Sequence, residues 1–211
     1  AISGFSEPAR SKNRTPLLLN NLLSPTQIGN LKLRNRIAVA PMGVEIAEAD
    51  GRVREPVIAY YEERARGGAG LIITENTSAC YPRGANSAHE LGVSSDDFLP
   101  GLQALTQRVH AHGARIAIQL AHHGKVGRLD TQQGRPLLMP SKPRQNAGHS
   151  GPLDLSLEEM GLMAAAAGKG RPTIHEATAA DLQQLVQDFA AAAERAQRAG
   201  FDAVEIHGAH G

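Results

Sequence analysis

Four short apolar segments, separated by helical patterns, constrain the fold of this chain more than any other feature. The segments span residues 36–40, 70–74, 115–120 and 203–206. The stretches between them place apolar side chains three or four positions apart and stop at or next to glycine, as helices do, over residues 56–66, 98–112 and 178–199. Strands that are apolar on both faces and alternate with helices form parallel sheets covered on both sides. The pattern therefore predicts an α/β fold.

The N-terminal part of the chain precedes this alternation. Gly29-Asn30 tolerates the positive φ of a tight turn, so the sequence predicts a hairpin of residues 26–28 and 31–33. Residues 1–24 are mixed and polar and are predicted to form an arm. We therefore divide the chain into this arm and one domain, residues 25–211.

A stretch from residue 121 to about residue 155 interrupts the alternation. It is rich in Gly, Pro, Ser and Asn, and a loop of this length inside a domain is usually functional or mobile. Ser156 and Glu159 then have the spacing of a capping box, which predicts a short helix.

Two arrangements of the sheet fit four βα units: half of a (β/α)8 barrel, or half of a doubly wound sheet. No Gly-x-Gly-x-x-Gly follows the first strand, so the dinucleotide fingerprint is missing. Polar or conformationally special residues instead follow every strand, where barrel enzymes gather their active-site residues. They are Pro41, Met42, Gly43, Glu75, Asn76, Gln119, His122, His123, His207 and His210. We predict an α/β (β/α)8 TIM barrel, of which this chain covers roughly the first four units plus the N-terminal hairpin.

Composition narrows the class of protein. Hydrophobic residues make up 41% and charged residues 20%, which is typical of a globular chain. A net charge of +1 and 3% aromatic residues give no basis for binding nucleic acid. No apolar run is long enough to span a membrane, and the single cysteine, Cys80, suits a reducing compartment. We expect a cytoplasmic protein that acts on a small molecule, with no nucleic-acid or membrane partner; a homo-oligomer is compatible with the sequence.

Five segments, in order along the chain, resemble the old yellow enzyme family. They are residues 29–37, 40–43, 60–75, 119–124 (Gln-Leu-x-His-x-Gly) and 207–211 (His-Gly-Ala-His-Gly). The resemblance covers nearly the whole chain beyond residue 24. It implies an FMN-dependent barrel oxidoreductase whose hairpin closes the barrel bottom. It further implies that NADPH or NADH is the reductant and that the reaction reduces a C=C bond conjugated to a carbonyl group, as in an enone or enoate.

The resemblance also implies roles for particular residues. The implied cofactor-binding set is Ala40, Pro41, Met42, Gly43, Asn76 and Gln119. The amide of Gln119 suits the flavin pyrimidine, because it offers both donors and an acceptor. His207 and His210 are similar to a catalytic pair that grips the substrate oxygen, where two donors stabilise the charge that develops as hydride arrives.

Departures from the family pattern leave alternatives open. Gly43 stands where one subgroup has a cysteine that tunes the flavin, and Glu45 stands where that subgroup has an aromatic substrate contact. A carboxylate near the flavin favours a cationic substrate, so the alternative reaction is oxidative N-demethylation or dehydrogenation of an amine. The Pro41-Met42-Gly43 sequence also resembles the dienoyl-CoA reductase and amine dehydrogenase branch, which adds a 4Fe-4S cluster and an FAD-binding domain beyond the barrel.

A metal-dependent barrel hydrolase is the alternative from a different class of enzyme. Imidazoles are common zinc ligands, so His207 and His210 fit a metal site by residue type. No carboxylate or cysteine is spaced to complete a ligand set, and we assign no metal-binding residue.

Overall fold

The structure is a computed structural model, and it describes residues 17–141 and 173–209. The helices of this part are α1 (Leu17–Leu23), α2 (Glu55–Arg66), α3 (Leu99–Ala111), α4 (Arg128–Gln132) and α5 (Ala179–Arg198). The strands are β1 (Thr26–Ile28), β2 (Leu31–Leu33), β3 (Ala38–Val39), β4 (Leu71–Ser78), β5 (Leu91–Gly92), β6 (Arg115–Ala121), β7 (Leu137–Met139), β8 (Ile174–Glu176) and β9 (Ala203–Ile206). Single 3₁₀ turns occur at Asp96–Phe98 and Gly124–Val126.

A parallel sheet forms the centre of the fold. Its strands lie in the order β3-β4-β6-β9, and β5 pairs with the end of β4. Helices α2, α3 and α5 connect consecutive strands of this order. Neighbours in the sheet are therefore neighbours in the chain, as in a (β/α)8 barrel. This arrangement confirms the α/β prediction and shows the four strands of the predicted βα units, with helices after the first three in the described part of the chain.

The main core lies between the sheet and its helices. It contains β-strand side chains such as Ile72, Ile116 and Ile118 together with Leu102 and Leu105 of α3, and all five are fully buried. In β6 the even-numbered residues face these helices, because side chains alternate between the faces of a strand. The odd-numbered residues, which include Gln119, therefore face the opposite side.

The antiparallel hairpin β1–β2 forms as predicted, with Thr26 opposite Leu33. Leu31 and Leu33 pack against Leu71 of β4 and Ala203 of β9, the first residues of those strands. The hairpin therefore covers the amino-terminal end of the sheet. The opposite, carboxyl-terminal edge is where the predicted site residues follow the strands.

The last residues of the predicted arm form helix α1, which the sequence analysis did not predict. The backbone N–H of Arg36 donates to the Leu22 carbonyl at 2.9 Å and ties the end of this helix to the chain before β3. Asn20-Asn21 interrupts the apolar run in the sequence, but leucine is a good helix former and the tertiary contact fixes the turn. Residues 1–16 lie outside the described residues.

The predicted loop is wrong over residues 121–141. This stretch contains the 3₁₀ turn, α4 and β7, and β7 pairs in parallel with β8 through Leu137 and Ile174. A three-residue strand has no periodicity from which it could be predicted. The predicted capping box at Ser156 and Glu159 lies outside the described residues.

Candidate active site

The predicted site residues gather at the carboxyl-terminal edge of the sheet. Asn76 of β4, Gln119 of β6 and Glu205 of β9 are paired neighbours and form one row across three strands. The register of β4 against β6 shifts between Ile73 and Asn76, which brings Asn76 beside Gln119. The structure thus brings together two of the proposed cofactor ligands that are 43 positions apart in the chain (119 − 76).

A carboxylate fixes the side chain of Gln119. Gln119 Nε2 donates to Glu205 Oε1 at 2.7 Å, and the backbone N–H of Gln119 donates to Thr74 Oγ1 at 3.2 Å. Gln119 is buried and Glu205 is half-buried. Because a carboxylate accepts hydrogen bonds only, it orients the amide with its nitrogen toward Glu205 and sets which way the amide oxygen points.

Asn76 contacts a histidine that the sequence left without a role. Asn76 Nδ2 lies 3.0 Å from His123 Nε2. His123 Nε2 also lies 3.2 Å from Glu90 Oε1. His123 and Glu90 are both buried. The ring centroid of His123 is 6.4 Å from that of His207. His123 therefore belongs to the same cluster as the predicted flavin and substrate ligands.

His122 faces elsewhere. A side-chain carbon added at Gly84 would collide with the His122 ring, and Gly84 has φ +65°, which favours glycine. Burial lowers the pKa of His122 below its ordinary value. This histidine supports the loop after β4, whereas its neighbour His123 reaches the site.

The segment that follows β3 exposes its backbone beside Asn76. We call residues 40–45 the mouth segment; it contains no helix or strand, and Met42 is 63% exposed. A carbon added at Gly43 would lie 3.5 Å from Asn76 Oδ1, so the segment passes close to that amide. Glu45 is exposed, has φ +49° and accepts a hydrogen bond from Asn86 Nδ2 at 3.3 Å.

Glu75 lies buried beneath the mouth segment. Its Oε2 accepts hydrogen bonds from the backbone N–H groups of Val44 at 2.9 Å and Glu45 at 3.1 Å. Burial raises the pKa of Glu75 to about 7, and the negative charges of Glu90 and Glu45 act in the same direction. The sequence places Glu75 among the residues that follow an apolar run but assigns it no role, because its burial and its contacts with the mouth segment are visible only in the structure.

His207 follows β9 and extends its pairing with β6, because its backbone N–H donates to the Leu120 carbonyl at 2.9 Å. This places its ring at the edge where Asn76 and Gln119 lie. His210 lies outside the described residues, so the histidine pair stays a prediction.

The residues at this edge fit a flavin by their chemistry. The mouth segment offers exposed backbone and the apolar Met42, which suit a flat ring, and the amides of Asn76 and Gln119 suit its hydrogen-bonding edge. Within residues 17–141 and 173–209, no group of three or more His, Cys, Asp or Glu is placed to hold a metal ion.

Comparison with known proteins agrees with this chemistry. The model of the NADH:flavin oxidoreductase / NADH oxidase family matches residues 21–211, and the chain belongs to that family. It is 36% identical over 191 residues to an NADH oxidase of Thermoanaerobacter brockii and 37% identical over 193 residues to an NADPH dehydrogenase of Halalkalibacterium halodurans. These matches cover 90% and 91% of this chain, but 26% and 49% of the relatives.

A solved structure shows the same relationship. The Old Yellow Enzyme from Pichia sp. AKU4542 superimposes with a TM-score of 0.72 at 28% identity, over 90% of this chain and 46% of that one. The chain thus spans about half the length of this enzyme and of the NADPH dehydrogenase. The predicted resemblance to old yellow enzymes and the barrel fold are confirmed, and the family does not support the alternative of a metal-dependent hydrolase.

Proposed function

We propose that this chain forms the flavin-facing and substrate-facing half of an FMN-dependent oxidoreductase that uses NADPH or NADH to reduce an activated C=C bond. The placement of Asn76 beside Gln119, next to the exposed backbone of the mouth segment, supports the proposal most strongly. The names of the relatives, NADPH dehydrogenase and NADH oxidase, support a nicotinamide reductant. The single cysteine agrees with a cytoplasmic location.

Each residue of the edge has a definite task in this proposal. Ala40, Pro41, Met42 and Gly43 line the flat face of the ring, and Asn76 and Gln119 bind its polar edge. Glu205 keeps the Gln119 amide in one orientation. When bound, FMN supplies the hydride. His207, with His210 as the proposed second donor, holds the substrate oxygen and stabilises negative charge there.

Oxidation of an amine is a second candidate because of Glu45. Its carboxylate is exposed at the mouth segment and is held there by Asn86. One negative charge at this position attracts a cationic substrate. In that case Glu45→Gln should lower kcat/KM for a methylated amine and leave an uncharged enone unaffected.

The test is to purify the whole oxidoreductase, of which we propose that this chain forms one half, and to record its visible spectrum, its metal content, and its turnover of two substrate classes. The proposal expects a yellow protein in which loss of NADPH or NADH is matched by loss of a cyclic enone. Release of aldehyde from a methylated amine, without enone reduction, would support the second candidate instead. A colourless protein that carries zinc would contradict both.

A further inference from the structure

We propose that Glu75 is a positioning residue whose buried carboxyl group holds the mouth segment in the shape in which its backbone faces the flavin. The functional part of this inference rests on the proposed FMN site. The contacts that hold the segment do not depend on it, because they join Glu75 to Val44 and Glu45 within the chain.

The first support is the pair of hydrogen bonds to one carboxyl oxygen. Glu75 Oε2 accepts from the backbone N–H groups of two consecutive residues, Val44 and Glu45, at 2.9 and 3.1 Å. These N–H groups lie in a segment without helix or strand, so no regular ladder fixes them. A carboxyl oxygen can accept both hydrogen bonds, whether the group is protonated or ionised. A single buried side chain therefore determines the course of this exposed segment.

The second support is the backbone of Glu45. Its φ of +49° lies in the left-handed region, which residues other than glycine adopt only when their surroundings impose it. Its N–H is held by Glu75, and its carboxylate accepts from Asn86 Nδ2. The backbone N–H of Asn86 in turn donates to the buried Glu90 at 2.6 Å. Two buried carboxyl groups thus hold Glu45: Glu75 binds its backbone N–H directly, and Glu90 acts on its carboxylate through Asn86.

The third support is the cost of keeping a carboxyl group at this position. Glu75 is 0% exposed, and within the described part of the chain its Oε1 has no hydrogen-bond partner. Two negative residues, Glu90 and Glu45, face it, and its own N–H donates to Tyr61 Oη at 2.7 Å. An apolar side chain would fill such a site at lower cost in stability. The benefit of the carboxyl group is therefore the shape of the segment above it.

The test compares Glu75→Ala and Glu75→Gln with a matched control, Asp130→Ala. Asp130 is also a buried carboxylate that accepts a backbone N–H, from Gly84 at 2.7 Å, but it does not contact the mouth segment. The readouts are hydrogen exchange of the Val44 and Glu45 amides and, in the flavin-loaded protein, the visible spectrum and dissociation constant of FMN.

Glu75→Ala should speed exchange of both amides about tenfold and weaken FMN binding by a similar factor, the effect of one or two lost hydrogen bonds. Glu75→Gln keeps an acceptor oxygen and should restore both quantities to within about threefold of the wild type. Wild-type exchange at the two amides, corrected for intrinsic rates, should change near neutral pH, whereas that of Glu75→Gln should not. This comparison remains decisive if the alanine variant does not fold.

Unchanged exchange in Glu75→Ala, or an equal change at these amides in Asp130→Ala, would overturn the inference. Faster exchange with unaltered FMN affinity and spectrum would show that Glu75 shapes the segment but does not serve the flavin. A wild-type protein that binds no FMN would overturn the proposed function and this flavin-facing role together, while the exchange data would still decide whether Glu75 holds the segment.

Discussion

At the scale of single residues, Glu75 links stability to pH. Its pKa is raised from 4.5 to about 7 in the folded chain, so the folded state retains a proton that the unfolded state has lost between these values. The contribution of protonated Glu75 to the free energy of unfolding is therefore fully present below about pH 4.5 and is lost as the pH rises through about 7.

We predict that Glu75→Gln removes this pH dependence. Urea unfolding at about pH 5 and about pH 8 should show the wild type losing up to about 3 kcal/mol more than the variant over that interval. The carboxyl that is ionised at higher pH is the destabilised form, because it is buried with one oxygen unpaired. Parallel pH profiles of the two proteins would mean that Glu75 is solvated in solution.

His207 is the residue on which the proposed substrate chemistry depends most directly. His207→Ala should lower kcat/KM for an enone by the equivalent of about 2–4 kcal/mol, because a positioned donor to the developing charge is removed. Bound FMN should be retained, since the proposed flavin ligands lie on other strands. The matched control is His175→Ala, because His175 is exposed and pairs with Asp181. Loss of flavin with preserved turnover would show that the role is misassigned.

At the scale of elements, Arg34 joins the hairpin to two helices. Its guanidinium donates to the carbonyl oxygens of Ala65 and Ala69, at and just beyond the end of α2, and to that of His112 at the end of α3. A cation at helix C-termini also interacts favourably with the helix dipoles.

We predict that Arg34→Ala lowers the free energy of unfolding by about 1–3 kcal/mol, because several carbonyl groups lose a charged donor. Chemical denaturation measures the change. Arg36→Ala is the control on the neighbouring position, where the side chain makes one exposed hydrogen bond to Ser24. An equal loss in both variants would contradict a special role for Arg34.

At the scale of the whole molecule, strand β9 at the end of the sheet and helix α5 expose apolar side chains. Ile206 of β9 is 62% exposed and Val186 of α5 is 70% exposed, and in the described part of the chain β9 pairs only with β6. Unpaired strand edges and exposed apolar patches invite association. Within the described residues, no helix is long and apolar enough to cross a membrane.

We predict that a polypeptide of residues 1–211, produced alone, self-associates and binds FMN weakly, because barrels of this kind form their phosphate site after strands seven and eight. Light scattering and FMN titration measure both properties. Val186→Lys should reduce association, whereas Val126→Lys, at an exposed valine after β6, should not. A monomeric, yellow preparation with ene-reductase activity would contradict the prediction.

The sequence alone determined the order of the four central strands and the three helices between them, the hairpin and the family. These follow from local signals: apolar runs, three-to-four-residue periodicity, and motifs within a few positions of one another. It also indicated Asn76, Gln119 and His207, because each lies at or shortly after the end of an apolar run and within a segment that resembles the family.

Only the tertiary structure decided how the site is held together. Gln119 meets Glu205, 86 positions away, because β6 and β9 pair in one register, and Glu75 meets Val44, 31 positions away, because β3 lies beside β4. The side chain of His123 contacts Asn76 in the site, whereas that of His122 packs against Gly84, although the two residues are adjacent and chemically identical. Local sequence carries no signal for such contacts, since strand register and loop course depend on the packing of the whole sheet.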